Sequence, residues 1–512
     1  MVAMKPPITT YQTLRKSLRE IALLGSVGSL LEWDQRTQMP PKGAEFRADQ
    51  LSLIARSVHE QFTADRIGDL LSELEASELV TDPRGDVGTD VRETRRSYDR
   101  ARRLPASLVE EMSRTSALAQ QAWTQARKKS EYALFEPWLT KILELKRQQA
   151  MCYLNGTPAD SDSLYDALLD DFEPHAKTAE LRGVFEQLRK DLVELVGRIA
   201  SSGKTAPVEI LERRFPAAAQ EQLAREAARL VGFDFEAGRL DVSLHPFCSG
   251  IVPGDTRMTT RYDEHAFADA FFGVLHETGH ALYDQGLPKE HWGSPTGSAV
   301  SLGIHESQSR MWENLVGRSA AFWKFHLPKA RAAFPEALTG VGEDQWLWAI
   351  NNVRPSLIRV ESDEITYNLH ILVRFELEQA MLSGQLAPKD LPGEWNAKIK
   401  QYLGIDVPND AQGCLQDIHW SDGAIGYFPT YTLGNLYAAQ FFAQAHADMP
   451  GLESQIAAGE FAGLLTWLRE NIHRHGQRYS AGQLVQRATH RPLSAEPLMH
   501  HLRAKAARYY GV

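Results

Sequence analysis

The chain has 512 residues, 43% of them apolar and 24% charged, which gives it material for a large core and sets it apart from disordered or fibrous chains. Its 56 Lys and Arg against 66 Asp and Glu leave a formal net charge of −10, which excludes a general phosphate-binding surface of the kind that drives nucleic-acid affinity. Cys152, Cys248 and Cys414 are odd in number, far apart and in no CxxC spacing, so a reducing compartment is expected, with no disulfide framework and no cysteine zinc site.

No run approaches the roughly 18 apolar residues that a membrane-spanning helix needs. Residues 21–31 follow Arg15, Lys16 and Arg19, but Gly and Ser dilute them, and Glu32-Trp33-Asp34 follows without a small-residue cleavage site; the expectation is a helix of a mature cytoplasmic protein. From residue 11 to 202 apolar residues recur at three- and four-residue spacing, as in Leu181, Phe185, Leu188, Leu192 and Val196, which predicts a helical half. Its breaks fall at Met39-Pro40-Pro41, Asp82-Pro83-Arg84-Gly85, Leu104-Pro105 and Asn155-Gly156-Thr157-Pro158. Arg92, Arg95, Arg96, Arg100, Arg102 and Arg103 make a basic stripe there, interleaved with Glu93 and Asp99; without a nucleic-acid fold signature it reads as a solvated helix face. Ser201-Ser202-Gly203-Lys204 is the expected boundary between a helical subdomain, residues 1–204, and a second one, residues 205–512.

The texture changes over residues 238–261. Leu240, Val242 and Leu244 alternate, Pro246 interrupts, and Met258, Thr259, Thr260 and Tyr262 follow Pro253-Gly254-Asp255, which predicts a small hairpin. The helical period returns over 263–286, with Asp263 as the expected N-cap and Gly286 as the stop. Residues 301–317, 361–382 and 433–445 also read as helices. The fold class is therefore mostly α, a large helical protein with a small β-hairpin or sheet.

His276-Glu277-Thr278-Gly279-His280 matches H-E-x-x-H inside a predicted helix, where chance gives only about 0.07 such matches in a chain of this composition. Imidazoles four residues apart lie within about 40° of each other on a helix, so both reach one ion. Glu277, about 100° round from His276, stands beside that ion, where it can take a proton from the attacking water and pass it to the leaving amine. The extended pattern with a third histidine fails, because Tyr283 and Gly286 occupy its Gly and His positions. The third ligand must come from another element, and Glu306 in His305-Glu306-Ser307-Gln308 is expected to supply it. His305 is the rival, but neighbours on a helix point about 100° apart and only one faces the ion well. Arg310 stands four residues beyond Glu306, so the groups that orient the histidines through their second ring nitrogens are not legible here. Cys248 and Cys414 are expected to be buried, inert thiols.

These residues resemble the carboxypeptidase Taq family of zinc metallocarboxypeptidases, and the likeness runs along the chain. His245-Pro246-Phe247 is similar to the family's HPF motif and Asp255-Thr256-Arg257-Met258-Thr259 to DxRxT; HExxH and HES-Q follow at His276 and His305. Ile358-Arg359-Val360-Glu361-Ser362-Asp363 is similar to IRxxAD, with Ser362 in place of Ala, and Gly413-Cys414-Leu415-Gln416-Asp417-Ile418-His419-Trp420 to GxxQDxHW. Trp33-Asp34 followed by Met39-Pro40 looks like the family's opening segment. The resemblance implies a helical peptidase with a deep substrate groove, similar to the angiotensin-converting enzyme and neurolysin group. Residues 1–204 would form one wall, and residues 205–512 the catalytic part.

It further implies one zinc ion per chain on His276, His280 and Glu306, although cobalt or manganese suits the same donors. The implied reaction removes single C-terminal residues from peptides, with an oligopeptide endopeptidase or dipeptidase on the same metal site as the alternative. Arg359 becomes the expected anchor for the terminal carboxylate, because its planar fork pairs bidentately with carboxylate oxygens; an ion pair with Glu361 or Asp363 is the competing role. His419, Tyr427 and Tyr431 are the candidate oxyanion donors, with the choice of tyrosine open. His245 is a candidate substrate contact, whereas Asp255 and Arg257 are expected to pair structurally. The family is commonly homodimeric, and neither nucleic acid nor membrane is an expected partner.

Overall fold

The structure is a computed structural model that describes residues 6–157, 160 and 162–512; Pro158, one of the expected turn residues, lies outside them. Helices dominate, from Pro7–Thr37 at one end of the chain to Glu496–Tyr510 at the other. Most of the expected breaks hold locally. The first helix ends at Thr37 ahead of Met39-Pro40-Pro41, and new helices start at Asp86 and Ala106 behind the Pro83-Gly85 and Pro105 signals. In Thr178–Ser201 the predicted stripe of Leu181, Phe185, Leu188, Leu192 and Val196 is buried on one face. The main core gathers buried residues from Ala119 to Tyr510, and a smaller cluster, Tyr11, Leu14, Leu18, Ile67, Leu71, Leu74, Val91 and Tyr98, holds the first helices together. Among the described residues, no helix is long and apolar enough to cross a membrane.

Of the arginines of Asp86–Arg103, Arg95, Arg96 and Arg100 are half-buried, whereas Arg92, Arg102 and Arg103 stay exposed. Arg95 pairs with Glu75, Arg96 with Asp170, Arg100 with Asp170 and Asp171, and Arg102 with Asp65.

The β element is larger than a hairpin. β1 (Gly238–Val242), β2 (Cys248–Val252) and β3 (Asp255–Thr260) form a sheet in the order β1-β3-β2, with β2 antiparallel and β1 parallel to β3. The alternation of Leu240, Val242 and Leu244 does not carry through: Leu240 is buried, but Val242 is 59% and Leu244 83% exposed. The strand stops at Val242 because Ser243 turns the chain, its Oγ donating to the His245 carbonyl at 2.7 Å. Arg257 pairs with Asp255 through two 2.8 Å contacts and lies over the Trp33 ring at 4.4 Å, which ties the first helix to the sheet.

The central helix spans Phe267–Gly286, beginning three residues later than an N-cap at Asp263 predicts. Asp263 caps the preceding turn instead, Oδ1 accepting from His265 N at 2.8 Å. Residues 301–317 split into an α-helix, Leu302–Arg310, and one wide π-turn, Met311–Val316. Ser301 caps the first part by accepting from Ile304 N at 3.1 Å, and the buried Glu173 accepts from Gly303 N at 2.9 Å. Likewise 361–382 divides into a short turn, Arg359–Glu361, and a helix, Tyr367–Ser383, while 433–445 lies within Pro429–Asp448.

Candidate metal centre

His276 and His280 project from one face of Phe267–Gly286, as their four-residue spacing dictates, and Glu306 meets them from Leu302–Arg310. Two glycines let these helices approach. A Cβ on Gly279 would stand 2.4 Å from the Gln308 carbonyl oxygen, and one on Gly434, in Pro429–Asp448, 2.4 Å from Glu306 Cγ. Glu306 Oε2 is 3.6 Å from His276 Nε2 and 3.4 Å from His280 Nε2. Bonds of about 2.0–2.1 Å in a tetrahedron separate ligand atoms by about 3.3 Å, so two imidazoles and one carboxylate are spaced as a small divalent ion requires. Burial alone would raise Glu306, but Arg310, His276 and His280 hold it well below the usual carboxylate range, so it is presented ionised.

Each donor is braced from behind. Glu306 Oε1 accepts from Arg310 Nε at 2.7 Å and Oε2 from Ser309 Oγ at 3.0 Å. His276 Nδ1 lies 2.9 Å from Glu313 Oε2, on the π-turn, and Arg310 and Arg318 flank that carboxylate. His305 does not point at the ligand pocket: its Nδ1 meets His280 Nδ1 at 2.6 Å and its Nε2 meets Asp284 Oδ1 at 3.2 Å. Glu277 is buried among His276, Glu306, Glu313 and His305, and burial pushes its carboxyl up to about 7, a value suited to taking and returning a proton near neutrality.

Beyond Glu306 a polar chain continues. The Arg310 guanidinium lies over the Tyr367 ring at 4.3 Å, and the Tyr367 hydroxyl accepts from Arg359 Nη1 at 3.1 Å. Arg359 is only 6% exposed, and its Nε and Nη2 both donate to Asp417 Oδ1, at 3.1 and 2.9 Å. Neither Glu361 nor Asp363 is its partner. Asp363 caps the following turn through Ile365 N and Thr366 N. Arg374 also donates to Asp417, from Nε at 2.6 Å, so two buried guanidiniums share one carboxylate.

His419 stands beside this cluster, its Nε2 3.4 Å from the Tyr431 hydroxyl and its ring 5.4 Å from that of Tyr427. Burial lowers His419 to about 4, so the ring is neutral, and burial raises both tyrosines, so their hydroxyls keep their protons. His245 is exposed in the link between β1 and β2, outside these contacts. Cys248 and Cys414 are free thiols pushed far up by burial, and Cys152 is free as well.

His276, His280, Glu306 and Glu277 thus converge in space, with Arg359, His419, Tyr427 and Tyr431 in one neighbouring cluster. Sequence reasoning missed Glu313, Asp284, Asp417 and Arg374. Glu313 is seven residues past Glu306, two helical turns on and so on the same face, which is a usable signal. Asp417 lies inside a motif already singled out.

The family model of the carboxypeptidase Taq (M32) metallopeptidases matches residues 13–506. The chain belongs to that family. This metallocarboxypeptidase is 48% identical over 509 residues to thermostable carboxypeptidase 1 of Thermus thermophilus, covering 99% of this chain and 100% of that one. It is 35% identical to carboxypeptidase 1 of Bacillus subtilis, over 96% of this chain and 97% of the relative. Among solved structures, the M32 carboxypeptidase of Deinococcus radiodurans superposes with a TM-score of 0.94 at 40% identity, over 98% of this chain and 100% of that one.

Proposed function

We propose that this metallocarboxypeptidase is zinc-dependent and releases single residues from peptides with a free C-terminus. His276, His280 and Glu306 hold the zinc, Glu277 moves the proton and Arg359 receives the terminal carboxylate. Cobalt or manganese suits the same donors. The observation that carries this reading is Glu277, buried next to three donors whose 3.4 and 3.6 Å separations fit one ion. The ion, when bound, polarises the scissile carbonyl and makes the attacking water more acidic. Glu277 accepts that water's proton and delivers it to the leaving amine, so the product departs neutral. Two buried guanidiniums against one carboxylate leave a positive excess at Arg359, Arg374 and Asp417, which supports reception of an anionic chain terminus by Arg359. His419 with Tyr431 or Tyr427 donates to the oxyanion as it forms. His245, in the link from β1 to β2, contacts substrate that lies extended along the sheet edge.

In the same reading residues 1–204 form one wall of the substrate groove, and residues 205–512 carry the catalytic groups on a core shared with the first part. The protein works in the cytoplasm as a homodimer, in keeping with the family resemblance and its free thiols.

The test is a mass-spectrometric time course on an unmodified peptide and its C-terminally amidated twin, using native enzyme, chelated enzyme and Glu277→Gln. Stepwise loss of single residues from the free acid alone, abolished by chelation and by the substitution, is the expected result. Equal internal cleavage of both peptides would replace it with the endopeptidase reading and remove the role given to Arg359.

A further inference from the structure

We propose that His305 and Asp284 form a positioning relay that fixes the tautomer and orientation of the ligand His280, and so governs how tightly this chain holds its metal. The inference rests on the metal-dependent reading above. His280 turns Nε2 toward Glu306 Oε2 at 3.4 Å, which leaves Nδ1 facing away from the ligand pocket. That nitrogen meets His305 Nδ1 at 2.6 Å, and the far nitrogen of His305 meets Asp284 Oδ1 at 3.2 Å.

One proton arrangement satisfies every contact and leaves His280 able to bind a cation. The Asp284 carboxylate oxygen accepts, so His305 donates through Nε2–H. With its one proton on Nε2, His305 has a bare Nδ1, which accepts from His280 Nδ1–H, and the lone pair of His280 Nε2 is free for the ion. In the opposite arrangement His305 would donate through Nδ1–H, and the proton of His280 would move to Nε2, the ligand atom itself. Asp284 is the group that selects the first arrangement.

His305 packs against two rings. Its ring centre lies 4.7 Å from that of His280 and 5.1 Å from that of the buried Tyr283, whose hydroxyl is fixed by Val300 N at 3.2 Å. His280, Tyr283 and Asp284 all belong to one turn of Phe267–Gly286, so a single helix presents both ends of the relay and the wall beside it. The two histidine ligands are therefore braced by different chemistry. His276 meets a carboxylate directly, through Glu313 at 2.9 Å, whereas the carboxylate behind His280 acts through an intervening ring.

The experiment is a competition for zinc between the protein and a chromogenic chelator, run on wild type, His305→Phe, His305→Asn and Asp284→Ala, with thermal unfolding of each metal-free protein alongside. His305→Phe fills the space but offers Nδ1–H no acceptor, and zinc affinity is expected to fall about 10–100-fold. His305→Asn, whose amide oxygen accepts, recovers most of the loss, and Asp284→Ala, which leaves His305 Nε2–H without its acceptor, falls between. A purely structural role would lower the melting temperature and leave zinc affinity alone, and that pattern overturns the relay. If His305→Phe fails to fold, Asp284→Ala decides: a loss of less than about threefold overturns the proposal, and a larger loss upholds it. A wild type that takes up no zinc overturns the metal reading beneath it, whereas wild type and His305→Phe that bind zinc equally overturn the relay alone.

Discussion

Glu313 Oε2 lies 2.9 Å from His276 Nδ1, while the other ring nitrogen, Nε2, faces Glu306. Burial would raise this carboxyl, but Arg310 and His276 outweigh it and hold it at about 2, so it is a permanent acceptor at working pH. Glu313→Ala should weaken zinc binding about 10–100-fold, because the ring loses its orienting partner. Glu313→Gln keeps an oxygen for Nδ1–H and should retain most of the affinity. Chelator titration of both variants checks the pair.

Gly434→Ala should damage the centre from behind. The added methyl would sit 2.4 Å from Glu306 Cγ and 3.1 Å from the Glu306 carbonyl carbon, so the ligand or the helix under it has to move. Overpacking of this kind costs about 1–3 kcal/mol, and here it should also lower kcat by displacing a ligand. Gly482→Ala, in Ala481–Thr489 with open space around it, is the matched control and should leave both quantities near wild type. Denaturant titration and initial rates separate the two.

Asp417→Asn should be severely destabilising. Arg359 and Arg374 are buried against this carboxylate, and their charge outweighs burial to hold it well below the usual range. Neutralising it leaves both guanidiniums without their counter-charge, which costs about 3–5 kcal/mol. The midpoint of a urea transition measures the loss.

Glu378 sets a pH dependence of stability. It is fully buried, accepting from Tyr165 Oη at 2.7 Å, Trp420 Nε1 at 2.8 Å and Gly426 N at 3.1 Å, and burial pushes it from 4.5 up to about 7. The folded protein thus keeps a proton that the unfolded chain has already released. Its contribution is full below about pH 4.5 and declines as pH rises through about 7, by about 3 kcal/mol in all. Glu378→Gln cannot ionise and loses one acceptor, so it should be less stable than wild type at pH 5, with the gap closing or reversing by pH 8. Denaturation of both proteins at the two pH values tests this, and a gap that does not change with pH would mean that Glu378 does not retain its proton on folding.

The parts of this molecule that were legible in the sequence are those fixed by local periodicity. The four-residue spacing of His276 and His280 puts both on one helix face, and the apolar stripe from Leu181 to Val196 is one face of another. Glu306 was accessible because the next helical segment offers few metal donors. What escaped depends on contacts distant in the chain. Arg359 is paired with Asp417, 58 residues away, whereas sequence proximity suggested Glu361 or Asp363. β1 finds its partner in β3, across the intervening β2, and such parallel pairing leaves no turn signal to read. The bracing of His280 by His305 required knowledge of how two helices face each other, which no spacing within either one encodes.

The π-turn Met311–Val316 has a consequence for insertions and deletions. It carries Glu313, and its wide coil sets the angle at which that carboxylate meets His276. Removing one residue between Glu306 and Glu313 would close the wide coil to regular α geometry and change the angle at which Glu313 follows Glu306, while the helix beyond stays roughly in phase. A deletion that a surface helix absorbs as a small loss of length would here uncouple the metal ligand from its brace. This segment should therefore tolerate substitution far better than any change in its number of residues.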